Sequence, residues 1–218
     1  MAENLARLLQ LASPALPVGA YSYSQGLEAA IEAGVVRDAA SAERWIGDVL
    51  AYSVAPMEAP VFIRLCAAWT AGDTGCAERW NSLFLASRET AELRAETAQM
   101  GYSLARLVAL LGAGHVPLDE PSFPAAFARA ATAWRIDPHE ALIGYLWSWL
   151  ENQVLAAVKA LPLGQTDGQR MLASLGDRLG DVARRAARLD DDQLGSLVPG
   201  LALLSSGHET QYSRLFRS

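Results

Sequence analysis

The chain has 218 residues, 51% of them apolar, which is enough to bury a sizeable core and points to one domain. Its formal net charge of −6 speaks against a nucleic-acid binder, which normally presents a basic face. Its two cysteines, Cys66 and Cys76, are too few for a disulfide framework and lack the close pairing of a structural zinc site, so they read as buried thiols in a reducing compartment.

The opening "MAENLARLLQLASPALPVGA" is apolar and ends in small residues, but Glu3 and Arg7 lie in its first turns and Gln10 and Pro14 interrupt the run, so a cleaved secretory leader is not expected. No stretch reads as a membrane span, and the expected location is the cytoplasm. "LASPALPVGAYSYSQGLEAAIEAG" then sets a Pro/Gly/Ser-rich turn before a helix. Ser22 and Gln25 have the spacing of a capping box, and Gly34 is placed as a C-cap.

Helix signals dominate the rest, and β-branched runs with period-two alternation are absent, so the fold class is all-α. Leu93, Thr97, Met100, Leu104, Leu107 and Leu111 recur at steps of four and three, the stripe of a long helix facing a core. "GAGHVPLDEPSFP" (112–124) carries too many breakers for a helix and reads as a loop that could separate two lobes. Asp137 as N-cap, Pro138 at the first helical position and Glu140 at the third predict a helix running to about Ala160. After "LPLGQTDGQ", Thr166 and Gln169 are spaced as another capping box, and Leu172, Leu175, Leu179, Val182, Ala186 and Leu189 predict a second long helix. The expected architecture is a single helical bundle over residues 1–218, with an extended N-terminal segment and a flexible, non-helical tail over about 206–218.

The sequence contains little catalytic chemistry. No Gly-Lys pair exists, so there is no phosphate-binding P-loop, and the opening serines lack the Gly-x-Ser-x-Gly elbow of a hydrolase nucleophile. Ser22 and Ser24 read as cap and packing residues. The histidines, His115, His139 and His208, fall in a loop, a helix start and the tail with no partner at ligand spacing, so neither a metal site nor a cofactor is expected. Arg88, Glu92, Glu96 and Gln99 follow one another at helical steps and form either a solvated, salt-bridged face or a docking face. Trp147 and Trp149 lie about 200° apart on one helix, so one packs and the other faces outward. Lys159 sits near the C-terminus of that helix, where the dipole favours a cation. Tyr212, Leu215 and Phe216 make the tail too apolar for a purely solvating segment. They either pack back on the bundle or await a partner.

Taken together, "LASPALPVGAYSYSQGLE", "RETAELRAETAQMG", "WLENQVLAAVKALPLGQTDGQ" and "HETQYSRLFRS" resemble the UreF family of urease accessory proteins, over nearly the whole chain from about Leu8. The resemblance implies an all-α cytoplasmic protein without enzymatic activity. It also implies a protein that dimerises, binds the accessory protein UreD (UreH) and recruits the GTPase UreG in the complex that loads nickel into apo-urease. It further implies that Tyr21, Lys159 and Arg214 shape the GTPase-binding surface. Ser22, Glu28, Tyr212, Leu215 and Phe216 complete the expected partner-binding set, with Tyr21 and Arg214 pairing directly. A second reading, a small helical enzyme or ligand-binding regulator using Glu28, Ser22 and Ser24, stays open at this point.

Overall fold

The structure is a computed structural model that describes residues 2–218. Among them it contains helices and turns and no strand, as the sequence leads one to expect. α8 (Pro138–Ala160) forms the axis. Asp137 caps it as predicted, accepting from the His139 and Glu140 amides. Around it pack α1 (Ala2–Ala12), α2 (Leu27–Glu32), α3 (Ala39–Val49), α4 (Ala59–Ala71), α7 (Phe123–Ala133), α9 (Gln165–Gly176) and α10 (Leu179–Ala186). α5 (Thr74–Ala86) and α6 (Ala91–Leu110) cover α4 and α7, and α11 (Pro199–His208) lies against α2. An aromatic cluster of Phe62, Phe123, Phe127 and Tyr145 fills the junction of α4, α7 and α8.

α3 and α4 are joined through a π-helical stretch, Leu50–Glu58, into one continuous helix from Ala39 to Ala71. Contrary to the reading of the sequence, this helix is long and apolar enough to cross a membrane. Its most apolar stretch is, however, 67% buried inside the body, as in the core helix of a globular protein. Pro56 lies inside this stretch and Pro60 just after it, and neither has an N–H to give to the helix ladder. The segment 195–197 bonds to the same stretch from outside: Leu197 N–H donates to Tyr52 O (2.9 Å) and Gly195 N–H to Pro56 O (3.2 Å).

α6 follows the predicted stripe through Leu104, after which the buried seam passes to Val108 while Leu107 and Leu111 stay half-buried. The expected long helix around Leu179 is two helices broken at Asp177–Arg178, although the stripe itself is buried from Leu172 to Ala186. The second predicted capping box is also displaced, because α9 starts at Gln165 and Asp167 accepts from Gly164 N–H. The loop 112–124 does not divide lobes. Ser122 N–H donates to buried Asn81 and Phe123 N–H to Thr97, and Pro121 passes so close to α6 that a Cβ on Gly101 would lie 2.0 Å from its carbonyl oxygen.

Candidate functional site

The N-terminal turn and the C-terminal tail meet over α6 and α8, and every element there is shaped for that contact. Ser22 and Gln25 do not form the expected cap. Ala20–Ser22 is a single 3-10 turn, and α2 begins after Gly26, whose φ of 77° favours a residue without a Cβ. Leu201 of α11 also approaches to 2.9 Å from where that Cβ would be. Ser24 supplies the side-chain oxygen instead, accepting from Glu28 N–H (3.2 Å). Gly34 follows α2 as expected, with its N–H on Ile31 O.

Gln25 adopts φ 53°, a strained value for a side chain with a Cβ, and the strain aims its amide inward. Its nitrogen donates to Glu96 (2.7 Å), and its oxygen accepts from the Trp149 indole (2.7 Å). Asn152 holds the same turn by donating to Tyr23 O. Trp149 is buried, so one of the two tryptophans packs inward as expected, and Trp147 is 37% exposed.

The tail is docked on the body of the protein. α11 carries the chain through His208, and the non-helical tail begins at Glu209. Glu209 accepts from the Ala91 and Glu92 amides, two of the orphan donors at the start of α6. Arg214 donates to Glu92 (2.5 Å) and to the Gln211 and Glu209 carbonyls. Glu28 accepts from Leu215 N–H (2.6 Å) and Phe216 N–H (2.9 Å). Arg217 N–H donates to Ser22 O, while the Ser24 amide and hydroxyl both donate to Ser218 O. Phe216 and Ser218 are buried, and the Lys159 ammonium stands 4.5 Å over the Phe216 ring. Of the two fates open to the apolar tail residues, Phe216 packs back, whereas Tyr212 and Leu215 remain exposed.

The Arg88–Gln99 series is therefore neither a solvated face nor a surface for another molecule along its whole length. Glu92 and Glu96 receive the chain's own tail, and Arg88 turns inward to Glu58 (3.4 Å). His208, read as a tail histidine, is fully buried, with Nδ1 2.7 Å from Glu92 and Nε2 3.3 Å from Glu28. The expected Tyr21–Arg214 pair does not form: among the described residues no hydrogen bond or ring stacking joins them, because Glu92 and two carbonyls take the guanidinium. Tyr21 is 74% exposed.

Beneath the turn lies a cavity of about 80 Å³ bordered by Leu16, Tyr21, Gln25, Glu58, Glu96 and Trp149. Burial raises the Glu58 carboxyl above its ordinary value, against the pull of Arg88 and the Tyr145 hydroxyl that donates to it. Burial pushes Glu96 up to about 7, partly offset by the hydrogen bonds from Gln25 and Ser218. Tyr145 is raised well above the usual phenol range by burial and then by Glu58. Among the described residues no cluster of His, Cys, Asp and Glu could hold a metal ion.

Sequence reasoning missed Glu58, Tyr145, the inward role of Gln25 and the burial of His208. Glu58 left a trace, as a lone carboxylate inside the apolar run "SVAPMEAPVFI".

A family model described as UreF matches residues 36–176. The urease accessory protein UreF of Azoarcus sp. (strain BH72) is 59% identical over 98% of this chain and 95% of its own length. That of Dechloromonas aromatica (strain RCB) is 53% identical over 99% of this chain and 98% of its own. That of Cupriavidus metallidurans (strain ATCC 43123 / DSM 2839 / NBRC 102507 / CH34) is 50% identical over 99% and 98%. With the family model covering most of the chain and relatives of this similarity aligned along nearly all of it, the protein belongs to the UreF family of urease accessory proteins.

Proposed function

We propose that the chain is a non-catalytic, cytoplasmic adaptor in urease maturation. It works as a homodimer that binds UreD (UreH) and recruits and regulates the GTPase UreG for nickel insertion into apo-urease. The observation that carries this reading is the junction of turn and tail. The Ser22–Arg217 backbone bond ties the turn that carries Tyr21 to the tail that carries Tyr212 and Leu215, and these three are 74%, 105% and 49% exposed. Large apolar side chains grouped beside charged Lys159 and Arg214 fit the aromatic and arginine-rich anchors of protein interfaces. Ser22, Glu28 and Phe216 then act from beneath, holding the segments that carry those anchors.

The enzyme reading that used Glu28, Ser22 and Ser24 has no comparable support. Glu28 is occupied by two tail amides, and the Ser24 hydroxyl by Ser218 O. The test is a size-exclusion titration of the purified chain with UreD and UreG, using Tyr21→Ala, Tyr212→Ala and Leu215→Ala. Each exposed anchor should weaken association with one of the two partners at least tenfold while leaving the unfolding midpoint unchanged. Wild-type association in all three variants would place the docking surface elsewhere.

A further inference from the structure

The cavity beneath the N-terminal turn combines apolar walls with an acidic floor. The walls come from Leu11, Leu16 and Val18 of the N-terminal segment and from Phe84, Met100 and Trp149 of α5, α6 and α8. Its border also includes Tyr21 and Leu155, 74% and 43% exposed, so it opens to the surface beside them. The floor is Glu58 and Glu96, both buried. At about 80 Å³ the cavity is roughly half the size of an engineered one that takes up benzene, so it suits a slender chain better than a ring.

The floor is unbalanced in charge. Among the described residues on the cavity's border, Arg88 is the only cation. It meets Glu58 through Nη1 at 3.4 Å, while its Nε and Nη2 are packed in the interior. The other donors to the two carboxylates are the Tyr145 hydroxyl on Glu58 and, on Glu96, the Gln25 amide and the Ser218 hydroxyl. These three donors are neutral and cancel no charge. Arg214 and Lys159 are engaged elsewhere, with Glu92 and over the Phe216 ring. One guanidinium thus stands against two carboxylates where water screens poorly. A carboxylate has about four lone-pair sites, and each of these two uses two of them on the donors named, so both can accept further hydrogen bonds.

The chemistry that complements such a cavity is a positive charge with several N–H donors on a narrow apolar stem. An anion would meet two carboxylates, and a neutral chain would leave their charge uncompensated. A metal ion fits poorly as well, since among the described residues no cluster of side chains could hold one. A primary ammonium on a short alkyl chain has three donors and a unit charge, its stem packs on apolar walls, and the Trp149 ring favours a cation nearby.

We propose that this cavity is a receptor for a primary alkylammonium group, the chemistry shared by a lysine side chain and a free amine. The ammonium lies between Glu58 and Glu96, and its chain runs out along Leu16 and Trp149 toward Tyr21. The inference rests on the cavity of the isolated chain and is independent of which protein docks on the turn or the tail.

NMR titration of the full ¹⁵N-labelled chain at neutral pH tests it. n-Butylammonium, which reproduces a lysine side chain beyond its Cα, should shift the Trp149 indole and Gln25 side-chain signals saturably, with a Kd in the millimolar range because so few atoms make contact. n-Butyrate and 1-butanol, close to it in length but anionic and neutral, should each bind about tenfold more weakly or worse. The peptide acetyl-Gly-Lys-Gly-amide identifies the source. Binding as tight as that of n-butylammonium assigns the group to a lysine on a protein, and loss of binding assigns it to a free amine. Glu58→Gln and Glu96→Gln each remove one charge from the floor and should weaken n-butylammonium about tenfold, while Leu16→Trp, which fills the cavity and leaves both charges in place, should abolish its binding. No saturable shift with n-butylammonium, which would mean that water alone fills the cavity, overturns the receptor. So does equally tight binding of n-butyrate or 1-butanol, or undiminished binding in the three variants. The comparison of the three isosteres on the wild type decides the matter even where a variant does not fold.

Discussion

Glu58 sits where a helix can least accommodate a charge, between apolar neighbours that bury it, and two side chains make the position tolerable. Arg88 lies 3.4 Å away, and the Tyr145 hydroxyl donates to the other carboxylate oxygen. Arg88 is in turn held by the face of Phe84, 4.4 Å from its guanidinium carbon, and its Nε and Nη2, which have no hydrogen-bond partner among the described residues, are packed in the interior. Removing Arg88 leaves a buried carboxylate without its cation, so Arg88→Ala should lower unfolding free energy in urea by about 3–5 kcal/mol at pH 7. The pH dependence follows from the raised Glu58 value. A raised carboxyl favours the folded state at low pH and costs stability as pH climbs past the ordinary 4.5. The variant should accordingly recover part of its deficit at pH 5. An equal deficit at both pH values would mean that Arg88 acts by packing alone. Little of this was legible beforehand, since Glu58 and Arg88 are 30 positions apart in sequence and no periodic pattern links them.

At the level of elements, legibility tracked how local the determining chemistry is. α8 began where its cap, proline and glutamate placed it and ended at Ala160, because those signals act within one turn. The stripe from Leu172 to Ala186 correctly marked a buried face, yet two helices in line can share one stripe, so the break at Asp177–Arg178 was invisible to periodicity. The π-helical stretch was hidden for a different reason. Pro56 and Pro60 announce a disturbed helix, but the outside donors that bond to it come from 195–197, which resembles any other loop in the sequence. That segment therefore has a structural task at its backbone, although the Leu197 side chain is 80% exposed. Leu197→Pro removes the donor to Tyr52 O and should cost about 1–2 kcal/mol, whereas Leu197→Ser keeps the N–H and should cost under about 0.5 kcal/mol. Thermal unfolding of the two variants separates backbone from side chain, and equal midpoints would show that water replaces the lost bond without penalty.

On the scale of the whole molecule, the two sequence-distant ends close over each other, and each satisfies groups the other cannot reach alone. The turn offers Ser22 O, Ser24 and Gln25, the tail offers the Arg217 amide and Ser218, and Glu96 is bonded from both sides. The family resemblance singled out both segments, and the structure brings them together. It could not show that they are tied through backbone groups and α6 carboxylates instead of through a Tyr21–Arg214 pair, because backbone pairing leaves no mark on residue identity. Truncation after Ser213 tests this mutual dependence. The cut removes the buried Phe216 ring, worth about 2–3 kcal/mol by transfer, and the amides held by Glu28. It also admits water to Glu28, Glu92 and Glu96, and the rehydration of those carboxylates offsets part of the loss. The net decrease in stability should therefore be about 1–3 kcal/mol, with helical circular dichroism preserved, since the deleted segment is not helical. The more telling response lies at the other end of the chain. Without Ser218 and the Arg217 amide, the turn keeps only its ties to α6 and α8, so amide exchange at Ser24 should accelerate at least tenfold and protease sensitivity should appear between Pro14 and Ser24. A turn that stays protected after the tail is gone would show that Gln25, Trp149 and Asn152 suffice to hold it, and that the tail rests on the turn without supporting it.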